Sequence, residues 1–175
     1  MRNAELKAKT VSFVAAASNS GKTTLIEKII PLLKARGLRV AVVKHAHAGF
    51  DMDRPGKDSW RFREAGADAV MIIGPEELAP AGKLKAEPLV KFELLARDVD
   101  IVIQEGFKKT AKNKIEVFRA GISGEQPLCM TDSSFLALVC DAPFDTTIPR
   151  FDINDILGIT DYLIVNFIDP SRAGS

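Results

Sequence analysis

The sequence is short of several things, and each shortage closes off a class of function. Cysteine is nearly absent: Cys129 and Cys140 are the whole complement. They are too few and too far apart for a zinc framework or a redox CxxC pair. Each reads as a buried thiol of a reducing compartment, so a cytoplasmic protein is expected. An excess of one charge is also lacking, with 24 basic against 23 acidic residues and a net charge of +1. That balance gives no electrostatic case for a nucleic-acid or membrane partner. No apolar run approaches the roughly 20 residues of a membrane helix. The opening MRNAELKAKTVSFVAAAS has the basic, apolar and small residues of a signal peptide. Its apolar part runs straight into SNSGKTT, so no cleaved leader is expected. There is no internal repeat, low-complexity tract or domain linker. A chain of 175 residues is expected to form a single domain that buries roughly 70% of its extended surface.

What is present is an alternation of short apolar runs with helical patterns. Val11 to Ala17 reads as a buried strand. Lys22 to Arg36 reads as a helix with Leu25, Ile26, Ile29, Leu32 and Leu33 on one face. Pro31 should bend it or loosen a turn, and Gly37 should end it. Leu38 to His45 is a second strand, and Asp58 is placed to cap a helix reaching Ala65. Ala69 to Ile73 and Val99 to Gln104 read as strands, with a helix over Leu89 to Ala96 between them. Residues 74 to 88 hold a Pro-, Gly- and Lys-rich excursion. Lys114 to Arg119 alternates like a strand with one wet face, Phe135 to Cys140 is another buried strand, and residues 152 to 167 close the chain as an amphipathic helix. Near-continuous apolar strands between helices predict an α/β fold: a mostly parallel sheet covered by helices on both faces.

Glycine is missing at one place where a motif demands it. Ala16 to Thr23 reads AASNSGKT, a phosphate loop G-x-x-x-x-G-K-[ST] with alanine for its first glycine. A bare Gly-Lys-Thr arises by chance in about one chain of this length in ten, so placement carries the argument. It follows a buried strand and opens an amphipathic helix, as the motif requires. Backbone amides of Ser18, Asn19, Ser20, Gly21, Lys22, Thr23 and Thr24 are then expected to curl round phosphate, aided by the helix N-terminus. Lys22 reaches the β- and γ-phosphates, and Thr23 offers its hydroxyl to magnesium. A left-handed backbone at Ala16 costs roughly 1–2 kcal/mol, against about 8 kcal/mol for micromolar triphosphate binding. An extended backbone there costs almost nothing.

Three further stretches fall at strand ends, where open parallel sheets bind ligands. The first is KHAHAGFDMD, with Lys44, His45, His47, Asp51 and Asp53. Asp51 or Asp53 can hold magnesium or position water. The two histidines can share a face and bind a transition metal, but one packed and one wet is the favoured arrangement. The second is DIVIQEGF, whose Glu105 is expected opposite Thr23, near the magnesium and the γ-phosphate. The third is LVCD, where Asp141 either accepts from a guanine's N1 and amine or simply ends a turn. Lys108, Lys109, Lys112 and Lys114 read first as a solvated basic face.

The stretches SNSGKTTLIEKIIP, VKHAHAGFDMDRPGKDSWRFREAGA and IVIQEGFKKTAKNKIEVFR, with DAPF near the late strand, resemble the molybdopterin-guanine dinucleotide biosynthesis protein B (MobB) family. The KH-x-H…D-x-D-x-x-GKDS segment is the specific part. The resemblance implies a phosphate-loop NTPase of the SIMIBI-like class: a GTP-binding, weakly GTPase, homodimeric accessory protein using GTP and Mg2+. Such proteins assist the MobA-like guanylyltransferase that joins GMP to molybdopterin, which is itself a further candidate ligand. It also implies that Ala16 is acceptable, and it makes the excursion at 74–88 a dimerisation element. Lys22, Asp53 and Glu105 carry the phosphate and metal chemistry. Thr23, with Asp53 or Glu105, holds the metal, and Lys44, His45 and Asp141 join the loop in binding nucleotide. Slow hydrolysis is expected, because no arginine finger or glutamine stands at a motif position. Related dimeric ATPases carry an extra lysine early in the loop; here Ala16-Ala17-Ser18 predicts none donated across a dimer. The rivals are a nucleotide-gated adaptor without significant catalysis, and a small-molecule kinase or ATP-dependent ligase.

Overall fold

The computed structural model describes residues 9–46, 56–75 and 85–168. Seven strands form one sheet: β1 Lys9–Val14, β2 Val40–His45, β3 Ala69–Ile73, β4 Ile101–Glu105, β5 Lys114–Phe118, β6 Phe135–Cys140 and β7 Arg150–Asp152. Their order is β3-β2-β4-β1-β5-β6-β7, and every pairing is parallel. Among the described residues four α-helices accompany them: α1 Lys22–Ala35, α2 Asp58–Glu64, α3 Ala86–Arg97 and α4 Ile156–Phe167.

Period-two alternation sorts the strand residues onto two faces. Val11 and Phe13, Val40 and Val42, Ile101 and Ile103, Ile115 and Val117, and Ala137 and Val139 point to one side. There they pack with Leu25, Ile26 and Ile29 of α1, Phe62 of α2, and Ile159 and Leu163 of α4. On the other side Ala41, Val43, Ile73 and Val102 pack with Ala96 of α3 and with Phe107. Phe118, Leu138 and Cys140 are covered by Cys129 of a short 3-10 helix, Leu128–Met130, and by Phe144 and Ile148 of loop segments rather than by an α-helix. Between those two clusters the second face is polar. Ser12 donates to Gln104 at 2.6 Å, and the fully buried Glu116 accepts from the amides of Leu128 and Cys129 at 2.7 and 2.8 Å.

Several local expectations need correction. Ala15 to Ala17 lie beyond β1, in the loop. α1 runs through Pro31, which lies inside the helix as expected. Gly37 does end α1: at φ 74° it donates to the Lys34 carbonyl while Leu38 donates to that of Leu33, the paired bonds of a Schellman stop. Asp58 is not a cap; Lys57 holds that position without a side-chain bond, and Asp58 opens the first turn. β5 has no wet face, because all five of its residues are buried. Lys114, expected on a solvated face, is buried against the Phe135 ring at 4.5 Å and paired with Asp132 at 2.9 Å. The closing helix starts at Ile156, capped by Asp155, and the short β7 precedes it.

Candidate functional site

The phosphate-loop segment leaves the C-terminal end of β1 and enters α1 at Gly21. Ala16 is not among the residues with positive φ, so alanine carries no left-handed strain there. That strain falls on Asn19, at φ 60°, a residue type that tolerates it. Gly21 takes φ 93° as the N-cap. α1 has no side-chain cap and no acid in its first turn, in contrast to α4, where the Asp155 carboxylate accepts from Gly158. The positive end of the α1 dipole is therefore left for an external anion.

Strand alternation positions the charged groups. Lys44 and Glu105 are directly opposed in the parallel β2–β4 pair, and both project on the α1 side. Thr23 Oγ1 donates to Glu105 Oε1 at 2.8 Å. Lys44 Nζ lies 3.2 Å from Glu105 Oε2 and forms an ion pair with Asp58. Arg61 Nη2 bonds Glu27 at 2.5 Å and Thr24 Oγ1 at 3.3 Å, with Nη1 3.9 Å from Asp58. Lys22 Nζ reaches the fully buried Ser20 at 3.2 Å and the Ala17 carbonyl at 3.4 Å. Burial pushes its ammonium below the ordinary lysine range and Lys44 adds to that, while Glu105 pulls the other way. An incoming anion would relieve that desolvation.

Together these groups line a cavity of about 420 Å³ formed by Ser18 to Thr24, Lys44, His45, Asp58, Arg61, Glu105, Gly106 and Arg119. A second cavity of about 450 Å³ opens on the other side of the loop, between Val14–Ser18 and Gly106–Thr110. Gly106 and Phe107 are consecutive left-handed residues, φ 97° and 60°. They turn the chain sharply after Glu105 and set the Phe107 ring 5.3 Å from that of His45. The alternation that sends Lys44 toward α1 sends His45 to this opposite face.

The structure thus brings Ser18, Asn19, Ser20, Gly21, Lys22, Thr23, Thr24, Lys44, His45 and Glu105 to one place. Asp141 lines neither cavity. It is exposed at the end of β6, accepts from the Ala120 amide at 2.8 Å and lies 3.7 Å from Arg119 Nε. Asp53, Asp51, His47 and most of the excursion at 74–88 lie outside the described residues. Asp58, Arg61 and Arg119 were missed by sequence reasoning as lining residues. Asp58 and Arg61 sit inside the GKDSWRFREAGA segment, whose helical spacing was the available signal; for Arg119 nothing in the sequence marked it.

Among the described residues no group of three or more His, Cys, Asp or Glu side chains forms a metal cluster. The donor set at the loop is a hydroxyl and two carboxylates, Thr23, Glu105 and Asp58, with the Lys44 ammonium already standing among them as a cation. Hard oxygens in that arrangement fit magnesium, which keeps several waters and needs few protein ligands. No described helix is long and apolar enough to cross a membrane.

The family model for molybdopterin guanine dinucleotide synthesis protein B (MobB) matches residues 10–141. A molybdopterin-guanine dinucleotide biosynthesis adapter protein of Escherichia coli K12 is 35% identical over 155 residues, covering 86% of this chain and 89% of its own length. A protein of the same description from Haemophilus influenzae is 38% identical over 151 residues, 83% of each chain. Among solved structures, HypB from Helicobacter pylori in complex with nickel aligns at a TM-score of 0.60, covering 94% of this chain and 91% of its own, with 15% identity. Bacillus subtilis MobB aligns at 0.55, covering 91% and 98%, with 21% identity. At those identities the two structures show the shared phosphate-loop fold alone.

Proposed function

Because the chain belongs to the MobB family, we propose that it is a GTP-binding adapter of molybdopterin-guanine dinucleotide biosynthesis. In this reading Lys22 and the Ser18–Thr24 backbone hold the β- and γ-phosphates, and Thr23, Glu105 and Asp53 surround magnesium. The bound nucleotide orders a surface for the guanylyltransferase that attaches GMP to molybdopterin. The observation that carries it is the uncapped, acid-free N-terminus of α1 beside a half-buried Lys22, an arrangement that favours an anion. Magnesium supplies charge neutralisation of the phosphates when bound. Lys22 neutralises their other side, and Glu105 orients the Thr23 hydroxyl. Homodimerisation through the 74–88 excursion, and a cytoplasmic location, belong to the same reading.

Hydrolysis is weak in this account. Arg61 lies in the cavity lining, yet its guanidinium is engaged by Glu27 and Thr24. Preference for GTP rests on Asp141, whose Oδ2 lies toward Arg119 while Oδ1 accepts from Ala120; a guanine would compete for these oxygens. Replacing Lys22 with alanine should weaken GTP binding by about a hundredfold or more, the scale of a lost charge-assisted phosphate contact. Titration calorimetry giving unchanged affinity would sink the nucleotide reading.

One observation favours a second reading, phosphoryl transfer to a bound small molecule. The 450 Å³ cavity shares Ser18, Lys22, His45 and Gly106 with the phosphate cavity, as an acceptor site would. Labelled phosphate from γ-labelled GTP appearing in an organic acceptor, rather than as inorganic phosphate, would establish it.

A further inference from the structure

The carboxylates of Asp58 and Glu105 come from different elements, the start of α2 and the end of β4. One ammonium, that of Lys44, is paired with both. Glu105 is 6% exposed, and its Oε2 makes no hydrogen bond among the described residues; it faces Lys44 at 3.2 Å. Its other oxygen is held by Thr23, the hydroxyl a phosphate loop directs to its metal. Lys44 therefore stands where a divalent cation would find oxygen donors. A buried carboxylate needs a counter-charge, and here a side chain supplies it from within the site.

We propose that Lys44 and the divalent cation compete for the Asp58–Glu105 pair, and that Asp58 is a residue of the metal's surroundings. Lys44 holds the two carboxylates together in the metal-free protein. When metal enters, the ammonium is released toward the phosphates, so that one positive group exchanges for another and Asp58 stays beside the cation. This rests on the magnesium reading above and adds a residue pair to it. It also gives α2 a part in the site: metal entry alters the contact that fixes its first turn.

The test uses Mn2+ alone as probe, without nucleotide, with free metal followed by electron paramagnetic resonance. The Lys44→Gln protein should bind Mn2+ at least about tenfold more tightly than the wild type, because a unit charge at contact distance has been removed. Lys44→Arg, which keeps the charge, should resemble the wild type. Adding Asp58→Asn to Lys44→Gln should reverse the gain. No gain in Lys44→Gln, or a gain untouched by Asp58→Asn, overturns the proposal. A second measurement needs no variant: acetylation of Lys44 in the wild type, read by mass spectrometry, should rise as Mg2+ is added, and an unchanged or falling rate overturns it. Neither readout involves GTP. Failure here leaves the Lys22 result standing, and failure of GTP binding leaves the metal exchange standing.

Discussion

Glu116→Gln changes one atom at the most buried carboxylate of the sheet's polar face. Glu116 has no exposure and accepts from two successive amides, Leu128 at 2.7 Å and Cys129 at 2.8 Å. These bonds tie the 3-10 helix Leu128–Met130 to the strand. Hydrogen bonds to a charged acceptor contribute roughly 1.5–3 kcal/mol each. Glutamine keeps one oxygen, now neutral, and turns an NH2 toward the second amide, where donor meets donor. The loss of one charged bond, the weakening of the other and a buried unsatisfied N–H sum to about 2–4 kcal/mol. Urea unfolding at neutral pH should show the midpoint fall with the slope unchanged, since the same surface is exposed. A loss under about 0.5 kcal/mol would refute the assignment of these bonds as anchors. A second readout is independent of stability. The Cys129 thiol is pushed up to about 12 by burial, then by the charge of Glu116 and a hydrogen bond to it. Removing the charge should bring the thiol partway down, with burial keeping it high. Alkylation of Cys129 at mildly alkaline pH should therefore accelerate, because the thiolate is the nucleophile.

Three shorter predictions follow from backbone and charge. Gly106→Ala places an L residue at φ 97°, with its Cβ 3.3 Å from that of His45; a loss of about 1–2 kcal/mol is expected, and GTP affinity by calorimetry should fall with it because Glu105 is adjacent. Asn19→Gly, at φ 60°, should be neutral or stabilising by up to about 1 kcal/mol, and a clear drop in melting temperature would contradict the strain assignment. Asp132 is drawn down to about 2 by hydrogen bonds from the Ser134 hydroxyl, Lys114 and the Ser134 amide. A depressed carboxyl contributes stability above its unfolded pKa and loses it as pH falls through the folded one. Asp132→Asn should therefore flatten the urea midpoint's dependence on pH between about 4 and 2, leaving the slope above that range unchanged.

The sheet was legible where apolar residues run on. β6 occupies the stretch its apolar run marks, because a strand largely buried on both faces reads as a nearly unbroken hydrophobic segment; β3, partly buried at the sheet edge, is marked by the apolar run Ala69–Ile73. β7 was not legible: three residues, Arg150, Phe151 and Asp152, carry no such run, and the strand exists through its pairing with β6. Lys114 and Glu116 suggested a wet face because charge normally marks solvent; here the charges are satisfied internally by Asp132 and two amides. The loop's contact between Thr23 and Glu105 was legible because motif and strand end fix both partners. The Lys44–Asp58 pair was not, since reading Asp58 as a helix cap used its position in sequence alone and not the strand end it faces.

The wholly parallel order of the sheet has a consequence for synthesis. A parallel neighbour cannot be reached by a tight turn, so each pairing waits for a crossover to be made. β1 emerges first, yet the strands that flank it, β4 and β5, come roughly ninety and a hundred residues later. Until Glu105 has left the ribosome, the loop at Gly21–Thr23 has neither its neighbouring strand nor its acidic partner. The nascent chain thus carries an unfinished loop while roughly eighty further residues are made, and the loop gains its neighbour and its acidic partner together as β4 slots between β1 and β2.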